Sequence, residues 1–176
     1  VAQKYTAQNI RGFIRQSLRN LQVEALDLVQ LHCPPTEVFY NPELFEALDG
    51  MVKEGLIKNY GVSVEKVEEA LKAIEYPGVK TVQIIFNMFR QRPVELFFRE
   101  ARARRIGVIV RVPLASGLLT GKMSRTTKFD KEDHRNFNRK GQAFDRGETF
   151  AGVDYERGLQ AVEEIRALLP QGWSMA

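Results

Sequence analysis

The apolar residues at the start of the chain recur with the period of an α-helix. Thr6, a residue type that can cap a helix, directly precedes this stretch. The spacing predicts an amphipathic helix over residues 7–21. Its apolar face comprises Ile10, Phe13, Ile14, Leu18 and Leu21.

Short apolar runs and helical patterns alternate along the rest of the chain. Asn41 can cap a helix, and Pro42 suits the first helical position. Gly55 is expected to end that helix. The other helices are predicted at 65–75, 93–105 and 154–169, and the strands at 26–31, 58–63, 81–86 and 107–112.

Strands that alternate with helices are typical of parallel sheets with helical crossovers, so the fold class is α/β. Polar residues cluster near the carboxyl ends of the predicted strands, where (β/α)8 barrels and open doubly wound sheets both place their sites. The absence of a Gly-x-Gly-x-x-Gly after any strand favours the barrel. These polar residues are His32, Ser63, Asn87 and Ser116.

The predicted strands amount to half of an eight-stranded barrel, so we expect a single domain over 1–176 with about four consecutive β/α units. The inner faces of the strands should then be apolar and lack their opposite half, with Leu28, Val62, Ile84 and Ile109 left uncovered. The helix at 93–105 should bury Val94, Phe97 and Ala101.

Residues 121–153 are polar and aperiodic. A connection of this length inside a compact domain is usually functional or disordered. Four phenylalanines in it are expected to anchor it: Phe129, Phe137, Phe144 and Phe150.

Composition excludes several classes of protein. The net charge of +4 is mild and argues against nucleic-acid binding. No apolar run approaches the ~20 residues that span a bilayer. The single cysteine, Cys33, forms no internal disulfide and suits a reducing cytosol.

His32 closes an apolar strand and is the first candidate for chemistry. It could donate a hydrogen bond to a substrate oxygen or move a proton. The alternative is a hydrogen-bonded histidine near the core.

Four segments of the chain resemble, in order, motifs of the aldo-keto reductases. They are 27–34 (DLVQLHCP), 55–63 (GLIKNYGVS), 82–87 (VQIIFN) and 113–122 (PLASGLLTGK). The resemblance extends over nearly the whole chain and implies a partial (β/α)8 TIM barrel.

The resemblance also implies roles for individual residues. His32 would be catalytic, orienting and polarising the substrate carbonyl. Ser63 and Gln83 would bind the nicotinamide carboxamide. From the residues alone, Ser63 could instead cap the following helix, and Gln83 could satisfy backbone groups at a strand end.

The remaining cofactor contacts are implied around the last strand. Arg111 stands where many members of the family place an aromatic ring, and it would stack on the nicotinamide or pair with a phosphate. Val64 stands where the family often has an Asn. The loop that would wrap the pyrophosphate includes Pro113, Leu114, Ala115, Ser116, Gly117, Gly121 and Lys122.

By this resemblance the protein is a cytoplasmic oxidoreductase that uses NADP(H), with NAD(H) as the alternative, and needs no metal. It would reduce carbonyls, or oxidise alcohols or sugars, by hydride transfer. A rival hypothesis is a cofactor-binding regulatory protein on the same barrel, like the potassium-channel β subunits. A third is a non-catalytic (β/α) domain of unrelated function.

The family's catalytic Asp, Tyr and Lys lie on strands that precede the one carrying the histidine. The resemblance therefore implies an interior fragment of the barrel. Alone, this chain is expected to lack reductase activity. Its unpaired strand edges should favour association, with a homodimer as the soluble form.

Overall fold

A computed structural model describes residues 2–175. The predicted alternation of strands and helices is confirmed, and the strands form one sheet in the order β1-β2-β3-β4. The strands are β1 (Val29–His32), β2 (Tyr60–Val64), β3 (Val79–Ile85) and β4 (Gly107–Arg111). The helices are α1 (Ala7–Leu21), α2 (Pro42–Lys53), α3 (Val67–Ala73), α4 (Phe97–Ala103), α5 (His134–Phe137) and α6 (Tyr155–Leu168).

Two helix starts follow from capping chemistry. The Thr6 hydroxyl oxygen accepts a hydrogen bond from the backbone N–H of Asn9, 3.2 Å away, at the start of α1. Asn41 Oδ1 likewise accepts from the backbone N–H of Leu44 at the start of α2. Both caps satisfy a donor that the first turn of a helix leaves without a partner, as the sequence predicted.

The chain divides into two compact units. The first contains the residues up to Ile84 together with Arg92–Ile109, and the second contains Ile85–Gln91 and the residues from Val110 onward. Each unit has a hydrophobic core of its own.

In the first unit, β2 pairs in parallel with both β1 and β3. Successive side chains of a strand point to opposite faces, so the register sorts residues into two sets. One set is apolar and buried in the core with the helices: Leu31, Val62, Val64, Val82 and Ile84.

This arrangement corrects one expectation. Val62 and Ile84 were predicted to be uncovered, but they are 0% and 2% exposed. Both belong to the face that packs in the helix-bearing core, and the opposite face of these strands is largely polar. Of the four residues that the sequence predicted to be uncovered, only Leu28 is exposed, and it lies just before β1.

The polar face is bridged by a side-chain contact across β2. Gln30 Nε2 donates to Thr81 Oγ1 at 3.1 Å, so a residue of β1 reaches one of β3. Gly61 stands between them in register. A Cβ at Gly61 would lie 2.0 Å from Thr81 Oγ1 and 2.4 Å from the Thr81 carbonyl oxygen, so only glycine fits there.

The helix predicted at 93–105 is shorter in the structure. Residues Arg92–Val94 form a separate 3-10 turn, and α4 begins only at Phe97. Phe97 and Ala101 are buried as predicted, but Val94 is 52% exposed, so its predicted burial was wrong. Because the turn does not continue into α4, Val94 is not on the inward face of that helix.

In the second unit, residues 121–153 contain short helical turns and buried polar contacts. Asn138 is fully buried, and its Oδ1 accepts from the backbone N–H groups of Ala143 and Phe144 at 2.9 and 3.1 Å. Its amide nitrogen donates to the buried Thr149 hydroxyl oxygen at 3.3 Å. One asparagine thus satisfies backbone donors across this segment.

Two of the four loop phenylalanines anchor the segment as predicted. Phe129 and Phe150 contact each other and the ring of Tyr155, next to the core of the second unit. Phe137 and Phe144 meet edge to face but stay 40% and 41% exposed. Phe129 and Phe150 therefore form the aromatic anchor of this segment.

The short helix α5 depends on Asp133. Its carboxylate accepts from the backbone N–H of Arg135 at 2.8 Å and from the guanidinium Nη2 of the same residue at 2.6 Å. The hydrogen bond from the Arg135 guanidinium is the main cause that lowers the pKa of Asp133 to about 2.

We expect Gly61→Ala to destabilise the first unit by roughly 1–3 kcal/mol or more, because the added methyl group overpacks the sheet against Thr81. Urea denaturation measures the change. Gly50→Ala in α2 is the matched control, since a Cβ there meets nothing within 4 Å, and it should stabilise by up to ~1 kcal/mol. Equal midpoints for the Gly61 variant and the unmodified protein would contradict the register.

Asp133 should titrate by NMR with a pKa of about 2. Because this value lies below the usual one, the carboxylate stabilises α5 above pH ~4, and that stabilisation is lost as the pH falls towards 2. Arg135→Leu should return the Asp133 pKa towards its usual range. A carboxyl that already titrates near pH 4 in the unmodified protein would refute the contact.

Candidate active site

Three predicted site residues lie in one row across the sheet. His32 is paired in register with Ser63, and Ser63 with Gln83. Residues paired in register on parallel strands point to the same face of a sheet. The structure therefore brings His32, Ser63 and Gln83 to one end and one face of the strands, as predicted.

Ser63 and Gln83 are directly connected. The Ser63 hydroxyl is buried and donates to Gln83 Oε1 at 3.1 Å. The alternative interpretation of Ser63 as a helix cap is wrong, because the N-cap of α3 is Lys66. Its neighbour Val64 is fully buried in the helix-bearing core, on the other face of β2.

The residue after the candidate histidine also belongs to this site. Cys33 has a φ of +41°, a left-handed conformation that residues other than glycine rarely adopt. Its backbone N–H donates to the Ser63 carbonyl oxygen at 3.0 Å, and its Sγ lies 3.5 Å from Ser63 Oγ. The sequence placed Cys33 next to His32 but carried no signal for either contact.

Tyr5 holds the end of β1 from outside the sheet. Its hydroxyl donates to the backbone carbonyl oxygen of His32 at 3.1 Å. Burial, and secondarily the electrostatic effect of Cys33, raises the pKa of Tyr5 above its usual value, so this hydroxyl keeps its proton at neutral pH. Sequence reasoning missed Tyr5, because the two residues lie far apart along the chain. The His32 side chain itself is exposed and able to meet a substrate.

In the second unit, the predicted pyrophosphate loop is a run of tight turns. Positive φ values occur at Val112, Ala115, Ser116, Gly117 and Gly121. Several backbone N–H groups that were expected to serve as donors are used inside these turns: those of Ala115, Gly117, Leu119 and Gly121. Pro113, Leu114 and Lys122 are exposed.

The Ser116 hydroxyl is engaged by the segment that follows the long loop. It donates to the carbonyl oxygen of Glu148 at 2.7 Å and accepts from the backbone N–H of Phe150 at 3.2 Å. Ser116 therefore connects the predicted loop to residues 148–150.

Arg111 is engaged by the same segment. Its guanidinium Nη2 forms an ion pair with the Glu148 carboxylate, and both side chains are mostly buried, at 16% and 19% exposed. A cofactor phosphate or a nicotinamide ring would have to compete with this internal carboxylate for the guanidinium. Nothing in the sequence paired these two residues, which are 37 positions apart.

Asn87, one of the polar residues at the predicted strand ends, has a structural role. The side chain is buried, its amide donates to the Val112 carbonyl oxygen at 3.0 Å, and its Oδ1 accepts from the backbone N–H groups of Phe89 and Arg90. Within residues 2–175, no helix is long and apolar enough to cross a membrane, and no cluster of at least three metal-ligating side chains occurs.

Known proteins are similar to this chain over most of its length. The model of the aldo/keto reductase family matches residues 1–173. The aldo-keto reductase YhdN of Bacillus subtilis is 30% identical over 129 residues, which cover 73% of this chain and 39% of that protein. The uncharacterized oxidoreductase YqkF of the same organism is 30% identical over 113 residues, or 64% of this chain and 36% of that protein.

Solved structures show the same fold. The glycerol dehydrogenase AKR11B4 of Gluconobacter oxydans superposes with a TM-score of 0.76 and 30% identity, over 97% of this chain and 50% of that one. The holo form of the aldo-keto reductase AKR11C1 of Bacillus halodurans, at 21% identity, has a TM-score of 0.71 over 97% and 49% of the two chains. The chain spans about half the length of these solved structures and less than two-fifths of these curated relatives. The family match over residues 1–173 shows that this chain belongs to the aldo/keto reductase family.

Proposed function

We propose that this chain contributes the carboxamide-binding residues and the catalytic histidine of an NADP(H)-dependent oxidoreductase, with NAD(H) as the alternative cofactor. The reaction is reduction of small carbonyl compounds, or oxidation of alcohols or sugars, by hydride transfer. The observation that carries the proposal is the row His32–Ser63–Gln83, in which Ser63 is hydrogen-bonded to Gln83. The sheet would be half of a (β/α)8 barrel, in keeping with a solved relative of which this chain covers 50%.

The Ser63–Gln83 pair fits a nicotinamide carboxamide. A carboxamide presents both a donor and an acceptor, and so do a hydroxyl and a glutamine amide. Gln83 Oε1 accepts from Ser63, which leaves the two protons of Nε2 as donors. The nicotinamide, when bound, supplies or accepts the hydride, and the two side chains would select the ring face that is presented to the substrate.

His32 would act on the substrate carbonyl oxygen. A hydrogen bond from the imidazole to this oxygen strengthens as negative charge develops there during hydride transfer. Tyr5 fixes the backbone of His32, so the imidazole starts from a defined strand end. In the family's pattern a Tyr on an earlier strand is the acid, so we assign His32 the orienting and polarising role.

Arg111 and the loop 113–122 would bind the cofactor phosphates. The exposed Lys122 would add a counter-charge, and Gly117 and Gly121 permit a close backbone approach. Because four of the loop amides already donate inside turns, the positive side chains would carry more of the binding than the sequence alone suggested.

In the natural protein, His32→Ala should lower kcat by about 10²–10³ and leave the Kd of the cofactor nearly unchanged, because the lost donor acts mainly in the transition state. Steady-state kinetics and cofactor titration by fluorescence measure the two quantities. His32→Gln, which retains an N–H donor, should recover part of the rate. An unchanged kcat combined with weaker cofactor binding would count against the catalytic role.

Glu148→Gln should tighten NADPH binding by roughly three- to tenfold, because it removes the carboxylate that competes for Arg111 while it keeps the shape of the side chain. The gain should shrink at high salt. Arg111→Met is the matched control and should abolish the gain. Weaker NADPH binding by Glu148→Gln would mean that Glu148 holds Arg111 in place for the cofactor rather than against it.

A further inference from the structure

The buried carboxylate of Glu69 joins two loops that leave the candidate active site. Its side chain is 7% exposed. Oε1 accepts a hydrogen bond from the Thr36 hydroxyl at 2.7 Å, and Oε2 accepts from the backbone N–H groups of Glu65 and Lys66, both at 3.2 Å. Thr36 begins the 3-10 turn that follows β1, whereas Glu65 and Lys66 follow β2. One side chain therefore ties the segment after β1 to the segment after β2.

Half of this arrangement is a helix cap. Glu69 is the third residue of α3, and its bonds to Glu65 and Lys66 satisfy donors at the start of that helix. The Lys66 ammonium lies 3.9 Å from Oε1 and is largely exposed, so its attraction is weak. The bond from Thr36 is not part of the cap, because it crosses between loops 33 positions apart. It is also short and ends on a carboxylate, which makes it stronger than a bond between neutral groups.

A stiff segment connects Thr36 to the candidate histidine. Two prolines, Pro34 and Pro35, stand between His32 and Thr36. Pro34 is buried, and Pro35 is extended, with a φ of −52° and a ψ of 146°. Because each proline ring fixes φ, this segment has few ways to bend. A displacement of Thr36 is therefore passed on towards His32 rather than absorbed between them.

We propose that Glu69, acting through Thr36, is a positioning residue that holds the strand end of His32 beside that of Ser63. The Thr36–Glu69 hydrogen bond, called the clamp below, thereby helps to place the imidazole relative to a nicotinamide bound at Ser63 and Gln83. The effect on hydride transfer rests on the proposed function. The clamp itself is a property of the chain without cofactor.

Two backbone hydrogen bonds between β1 and β2 report on the clamp from opposite ends of the strands. The N–H of Cys33 donates to the Ser63 carbonyl oxygen at 3.0 Å, at the end where His32 lies. The N–H of Val29 donates to the Asn59 carbonyl oxygen at 3.1 Å, at the start of β1. Opening of the strand ends near the clamp would expose the first amide and leave the second protected.

Three substitutions isolate the clamp. Thr36→Val removes the donor while it nearly keeps the shape of the side chain, and it leaves the cap of α3 intact. Thr36→Ser keeps the donor. Tyr76→Phe is the matched control, because it removes a bond of 2.9 Å from the Tyr76 hydroxyl to the Phe39 carbonyl oxygen, on the far side of Thr36 from His32. Glu69 is left unchanged, since its replacement would also remove the cap.

The first measurement is hydrogen exchange of the natural protein without cofactor. In Thr36→Val the amide of Cys33 should exchange about fivefold faster, the change expected for one lost hydrogen bond, while that of Val29 should not change. Thr36→Ser and Tyr76→Phe should match the unmodified protein at both amides. Equal acceleration of both amides in Thr36→Val would indicate a general loss of stability, and no acceleration would indicate that the bond holds nothing. Either result would overturn the proposal.

The second measurement combines steady-state kinetics with cofactor titration. Thr36→Val should lower kcat by about three- to tenfold and keep the cofactor Kd within about twofold, because a displaced His32 spoils the alignment of the reacting groups. Thr36→Ser should restore kcat. In the His32→Ala background, Thr36→Val should have no further effect, since the side chain that it positions is gone. The same loss of kcat in both backgrounds, or no loss in either, would refute action through His32.

The proposed function fails by a different result. If His32→Ala alone leaves kcat unchanged, the catalytic role of His32 is refuted together with the effect of the clamp on turnover. The exchange rates of the Cys33 and Val29 amides would still decide whether the clamp holds the strand ends together.

Discussion

The parallel backbone pairing of β1, β2 and β3 is the constraint on which the site depends. It sets Leu31, Val62 and Val82 in one row and His32, Ser63 and Gln83 in the next. A slip of one residue would turn the apolar row out of the core and the polar row into it. The burial of the apolar row and the Gln30–Thr81 contact over Gly61 both oppose such a slip. The same forces that stabilise the first unit therefore align its polar groups.

Polar side chains of the proposed site have partners within the chain in both units. In the first unit, the Ser63 hydroxyl donates a hydrogen bond to Gln83 Oε1, and the sulfur of Cys33, the residue after β1, contacts the Ser63 hydroxyl oxygen. In the second unit, Glu148 occupies the guanidinium of Arg111. A ligand of the Ser63–Gln83 pair would use the donors that remain on the Gln83 amide nitrogen. A ligand of Arg111 would have to displace the Glu148 carboxylate. The Ser63–Gln83 pair and Arg111 thus differ in how far each is preorganised for a ligand, and electrostatic competition is expected only around Arg111.

Local chemistry made much of the fold predictable. The caps at Thr6 and Asn41 lie where the sequence predicted them, because a cap involves residues only a few positions apart. The row of His32, Ser63 and Gln83 was predictable because strand ends in an α/β sheet meet at one edge. The predicted burial of Val94 failed, since periodicity cannot tell one long helix from a 3-10 turn followed by a short helix. The contacts of Glu148 had no signal, because ion pairs between distant positions leave no local pattern.

By itself, the sequence determined the alternation of strands and helices, the parallel order of the strands and the family to which four motifs point. The alternation and the parallel order depend on short-range periodicity, capping and turn chemistry, which are local in the chain, whereas the family was indicated by the resemblance of four short segments to known motifs. Tertiary structure alone decided that Val62 and Ile84 face the helices, that Cys33 contacts Ser63, and that Arg111 pairs with Glu148. Each of these depends on which face of a strand or loop meets which distant neighbour, and that choice is made only when the chain packs.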